Sequence, residues 1–232
     1  MKPAAETVLL ALAGVVLSLG VSAAVLGPGR EAWEETRFND IPATEYLVRA
    51  DGTILIIANE SSSLIHRKLT PKEREGTSLS WEWRVKDPVP PTDLTRKGRD
   101  DRAVAVHVWF RDKTGGVFSG LKRSLAKLSG RSLPGKAISY TWGGDAEPGS
   151  VLENPFMKGD GVIIVLRRAD APTGEWFRER VDFMADFEAA FGFRPDPPNG
   201  IAISGDSDDT GAMSRATVRD LDFMPGKEKG EP

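Results

Sequence analysis

The chain has 232 residues, of which 40% are hydrophobic and 28% charged, with a net charge of -3 and no cysteine. This size suits one β-sandwich domain behind an N-terminal segment, with a core large enough to stand without covalent staples. The acidic balance excludes a general nucleic-acid binder, and the missing cysteines exclude disulfides, thiolate metal sites, cysteine nucleophiles and a lipidated cysteine anchor.

Lys2 precedes an uncharged apolar run over residues 8–26, in which Val21-Ser22-Ala23 offers the small residues a signal peptidase prefers. Residues 1–26 read as a signal peptide or, since the run is long enough to span a bilayer, as a membrane anchor helix. Both readings place the remainder outside the cytoplasm, periplasmic or secreted, with membrane contact only through this N-terminal apolar helix. Residues 27–43 read as a linker, 44–224 as the folded domain and 225–232 as a charged, disordered tail.

Within the domain, Tyr46 to Ala50 and Thr53 to Ala58 flank Asp51-Gly52, the pattern of a hairpin. Residues 64–69 suggest another short strand. From Ser78 to Lys86 the pattern is strict: Leu79, Trp81, Trp83 and Val85 alternate with Ser80, Glu82, Arg84 and Lys86. A period of two over nine residues marks a half-buried strand, and the prolines at 88, 90 and 91 end it. Residues 103–110 are almost continuously apolar, as in a central strand covered on both faces. Lys113 to Gly116 reads as a turn, and the basic stretch 117–136 as a loop or short helix. Ile138, Tyr140 and Trp142 alternate again. Residues 162–166, 176–181, 201–204 and 216–223 read as strands, and 185–191 as a short helix closed by Gly192. About nine strands without helix–strand alternation favour an all-β fold. The expected architecture is a two-sheet antiparallel β-sandwich of the jelly-roll or lectin-like kind, with one or two short helices.

Several residues can carry chemistry. Asp206, Asp208 and Asp209 form the densest acidic cluster, just after a strand. With Thr210-Gly211 they match the first half of a calcium-loop spacing, but Thr217 stands where a bidentate glutamate is needed. A looser structural calcium site and a turn whose aspartates take backbone donors both remain open. Asp100 and Asp101 precede the central strand. Together with the Asp206 cluster they can supply the two carboxyls of a glycoside hydrolase, or pair with Arg99 and Arg102. His107 lies within the apolar strand, as a buried core histidine or as a general base with Asp101. Trp109 and Trp142 are candidates for stacking a sugar ring, since indole faces meet the apolar C–H faces of glycans. The parity of Trp81 and Trp83 places that pair with core residues.

Order and spacing also carry a likeness. Trp81-Glu82-Trp83-Arg84-Val85, Asp100-Asp101 before the long strand, Ser139-Tyr140-Thr141-Trp142, Asn154-Pro155, Asp186-Phe187, Phe191-Gly192 and Gly200-Ile201-Ala202-Ile203 before the aspartate cluster recur in that order. Over residues 64–223 the chain resembles the bacterial exported family catalogued as domain of unknown function 3047. The resemblance implies a β-sandwich similar to carbohydrate-binding modules and assigns no activity. The chain departs from that pattern at Ala105 and His107, where the family's long strand often carries arginine and tyrosine, and stretch 117–136 reads as an insertion. The expectation is a non-enzymatic envelope module that binds a glycan or another envelope component, with a polysaccharide hydrolase and a purely structural protein as rivals.

Overall fold

The computed structural model describes residues 25–111 and 135–225. The expected N-terminal apolar helix, the expected turn at 113–116, most of the basic stretch and most of the tail fall outside them. Among the described residues no helix is long and apolar enough to cross a membrane.

Two sheets face each other. The first has six strands: β1 (Val25–Leu26), β3 (Glu45–Val48), β4 (Ile54–Asn59), β13 (Met213–Met224), β6 (Ser78–Asp87) and β11 (Phe177–Val181), in that spatial order. The second has seven: β2 (Glu34–Arg37), β5 (Ser62–Lys68), β12 (Gly200–Asp206), β7 (Arg102–Phe110), β8 (Lys136–Gly143), β10 (Gly161–Arg167) and β9 (Val151–Glu153). The sequence pattern locates ten of these strands. The short edge strands β1, β2 and β9 carry too few residues to show a period. β2 lies inside the stretch read as a linker, where it pairs with β5.

The sandwich is mixed rather than antiparallel throughout. β1 runs parallel to β3 and β10 runs parallel to β8. The second case follows from chain order: β9 lies one place beyond β10 and pairs with it antiparallel. After β8 the chain thus skips a position, turns, and comes back to fill the gap in the direction of β8.

The period-two strand β6 buries Leu79, Trp81, Trp83 and Val85 and turns Ser80, Glu82 and Arg84 outward. Trp83 lies with its ring centre 5.3 Å from Trp81 and 5.7 Å from Trp142 across the sandwich, both edge to face. Tyr140 of β8 meets Trp81 at 5.8 Å. Such offset aromatic packing adds to the burial of large apolar areas. The helix α1 (Phe183–Phe191) starts two residues before the expected 185, because the Asp182 side chain caps it by accepting from the Ala185 N–H at 2.9 Å. It ends at Gly192, whose φ of 78° is the left-handed cap glycine adopts readily. Its buried Phe187 meets Phe110 at 4.5 Å, closing one end of the core.

Candidate functional site

Strands β7, β8 and β12 lie side by side in the seven-stranded sheet, so alternate residues on all three share a face. One face sends Val104, Val106, Val108, Ile138, Tyr140, Ile201 and Ile203 into the core. The other face lines a cavity of about 600 Å³. In register, His107 stands opposite Ala202 of β12 and Ser139 of β8, while Trp109 stands opposite Gly200 and Ala137. The small partners keep the floor low. A β-carbon at Gly200 would come within 3.3 Å of the Trp109 indole.

His107 is fixed from both sides. Its Nδ1 lies 2.8 Å from Ser139 Oγ and its Nε2 lies 2.9 Å from Ser204 Oγ. Burial, aided by the positive charge of Arg102, pushes its pKa down to about 3. The ring is therefore neutral near pH 7 and a poor proton acceptor, which removes the general-base role with Asp101. Both ring nitrogens are engaged by serines, and Asp101 spends its carboxylate elsewhere.

The acidic end of the cavity is a zipper between two loops. The Asp101 carboxylate accepts from Thr210 N at 2.7 Å, Thr210 Oγ1 at 2.6 Å and Asp209 N at 3.2 Å. Asp209 in turn accepts from the Asp100 N–H at 3.3 Å. Arg102 sits between two carboxylates. Its Nη2 lies 3.0 Å from Asp206 Oδ2, its Nη1 lies 3.4 Å from Asp100 Oδ2, and its backbone N–H donates to Asp206 Oδ1 at 3.2 Å. One guanidinium cannot neutralise this many acids. Burial pushes Asp206 up to about 8, against the opposing pull of Arg102. Asp208 rises to about 6 through burial and the neighbouring Asp209, and burial also raises Asp100 and Asp209.

The calcium reading of Asp206, Asp208 and Asp209 finds no geometric support. Among the described residues no group of three or more histidines and acids has the arrangement of a metal site. Asp206 and Asp209 direct their oxygens to Arg102 and the loop backbone instead. The alternative, aspartates that satisfy backbone donors in a turn, describes Asp101 and Asp209 directly.

One cavity wall carries Phe38 and Ile41, and the other carries Asn154, Phe156 and Met157. Lys97 reaches over the Phe156 ring at 5.1 Å. The cavity thus brings together Asp100, Asp101, His107, Trp109, Asp206, Asp208 and Asp209. Trp142 is not among them. It is fully buried against Trp83 and Phe177, because it shares its face with Ile138 and Tyr140. Ser139, Ser204 and Arg102 were absent from the expected site. The serines carry one signal in the sequence: each is a small polar residue on the parity opposite to its strand's apolar residues.

No curated protein sequence matches the chain. Among solved structures, the xyloglucanase domain of a type three effector from Sinorhizobium fredii, in complex with cellobiose, is 10% identical. It covers 82% of this chain and 91% of its own, with a TM-score of 0.43. An endoglucanase from Rhodothermus marinus is 14% identical, covers 83% of this chain and 91% of its own, and has a TM-score of 0.44. A cleaved adhesin domain of Lys-gingipain from Porphyromonas gingivalis is 10% identical, covers 84% and 91%, and has a TM-score of 0.31. These are distant likenesses. Residues 31–222 match the model of the protein family of unknown function DUF3047, and the chain belongs to that family.

Proposed function

We propose that this protein is a non-enzymatic, exported envelope module that binds a glycan in the cavity on the outer face of its seven-stranded sheet. The carrying observation is the floor of that cavity. The half-buried indole of Trp109 lies beside a neutral, doubly hydrogen-bonded His107, over small residues that let a flat ligand approach the strands. An aromatic face with convergent hydroxyls and carboxylates at one end suits a polyhydroxylated chain, which offers apolar C–H faces and many O–H donors. The supports for catalysis are weaker. His107 does not take up a proton near neutrality, Asp101 is tied into its loop, and Asp206 is paired with Arg102.

The test is a glycan-array screen of the purified protein beside Trp109→Ala. Binding to a defined set of glycans that the variant loses supports the reading; an array with no wild-type binding rejects it.

One observation favours a hydrolase as the second reading. A cavity carboxyl raised to about 6, that of Asp208, lies where a general acid would be tuned. Release of reducing ends from a bound polysaccharide, abolished by Asp208→Asn, would move the assignment to that class.

A further inference from the structure

Two independent features of the cavity constrain its ligand beyond a generic glycan. The first is a proton count. A neutral imidazole has one N–H and one lone-pair nitrogen. Since each ring nitrogen of His107 meets a serine, one serine accepts from the ring and the other donates to it. The accepting serine keeps its own O–H, for which the described residues supply no acceptor. Ser139 and Ser204 are 3% and 4% exposed, and both line the cavity. A buried hydroxyl without an acceptor is an uncommon cost in a folded protein. The floor therefore offers one spare donor. The tautomer of His107 decides whether it stands at Ser139 or at Ser204, so the donor adapts to the ligand.

The second feature is charge. Five aspartates line the cavity beside two cations, Lys97 and Arg102; Asp206, pushed up to about 8, keeps its proton near pH 7, which leaves the other four as the source of negative charge. Arg102 is already shared between Asp100 and Asp206. The Asp208 carboxyl meets its own backbone N–H, pairs with no side chain among the described residues and is half-buried. Asp208 is four residues beyond Ser204. β12 ends at Asp206, about 7 Å along the strand from Ser204 at ~3.3 Å per residue, and Asp208 follows in the turn at the same end of the cavity.

We infer, building on the glycan reading above, that the cavity takes an amine-bearing sugar chain. A hydroxyl or ring oxygen of the chain accepts from the Ser139–His107–Ser204 relay, and a neighbouring ammonium stands against Asp208 and Asp209. A neutral glycan satisfies the first requirement only. An N-acetylated chain carries no charge to meet the second.

The experiment is calorimetric titration of the purified protein at about pH 7, above the Asp208 pKa of about 6 so that this carboxyl is ionised, with three β-1,4 tetramers: glucosamine, N-acetylglucosamine and glucose. The glucosamine tetramer is expected to bind about tenfold tighter than the other two, with the margin shrinking at high salt, where exposed charge pairs are screened. Asp208→Asn is expected to erase the margin, weakening the glucosamine tetramer about tenfold more than the glucose tetramer. Ser139→Ala and Ser204→Ala are each expected to weaken all three probes several-fold. They should also shift the His107 ring-nitrogen resonances toward a single tautomer. Equal or tighter binding of the uncharged tetramers overturns the amine requirement and leaves the glycan reading intact. Serine variants that bind as well as the wild type overturn the relay. Binding of none of the three, with none on the array, overturns the glycan reading itself.

Discussion

The two faces of strand β7 answer to different demands. Toward the core it presents Val104, Val106, Val108 and Phe110, all buried, against tryptophans and branched residues of both sheets. Toward the cavity it presents His107 and Trp109, opposite serine, alanine and glycine on the neighbouring strands. The core face is filled to exclude water. The cavity face is hollowed by small residues and then furnished with a few polar groups whose hydrogen bonds are nearly, but not fully, closed. One strand supplies both because its side chains alternate, so a single residue of register separates packing from recognition.

Tryptophan truncation gives the largest contrast between the faces. Trp83→Ala, in the aromatic stack, is expected to cost about 3–5 kcal/mol in denaturant unfolding. Trp109→Ala should cost roughly 1 kcal/mol, because its indole is only half-buried, while removing glycan binding. Similar losses from both would erase the distinction between the faces.

The acidic end sharpens the comparison, because there the cavity face also holds loops together. Asp101→Ala removes the acceptor for three donors on the 206–210 loop. It is expected to destabilise by about 2–3 kcal/mol and to speed amide exchange at Asp209 and Thr210 before the core strands open.

A smaller, pH-dependent effect distinguishes Asp206. Its folded pKa of about 8 stands above the ordinary 3.8. The folded protein therefore retains a proton that the unfolded chain has released, and stability falls as pH rises from about 4 to about 8. Asp100, Asp208 and Asp209 are raised too and act in the same sense. Asp206→Asn is accordingly expected to shallow that slope without abolishing it. A slope unchanged in the variant would place the retained proton elsewhere. The core face meets one raised carboxyl of its own, Asp186, which accepts from the Tyr140 hydroxyl at 2.7 Å and is pushed up by burial; core variants away from Tyr140 should shift the whole stability curve with little change in its pH dependence.

Much of the core face was legible in the sequence. Period-two alternation located β6 and β8, and the parity of Trp81 and Trp83 with Leu79 and Val85 placed both indoles inside. Trp142 obeyed the same parity with Ile138 and Tyr140, and its expected role as a binding residue fails for that reason. The cavity was legible only in part. Asp100, Asp101 and the Asp206 cluster stand out as acids beside strand ends, but their mutual ties need the β7–β12 pairing. His107 finds its serines 32 and 97 residues away, a separation no local pattern reports. The parallel β8–β10 pair was hidden for a related reason. It depends on β9, three residues long, taking the sheet edge first.

The central claim is that the cavity face is a binding surface with Trp109 on its floor. It is tested most directly by titrating the purified wild-type protein and Trp109→Ala with a glycan from the array, with unfolding of both followed in parallel. The account predicts saturable binding by the wild type and a loss of at least tenfold in the variant, with nearly unchanged stability. Undiminished binding by a folded Trp109→Ala protein would contradict it.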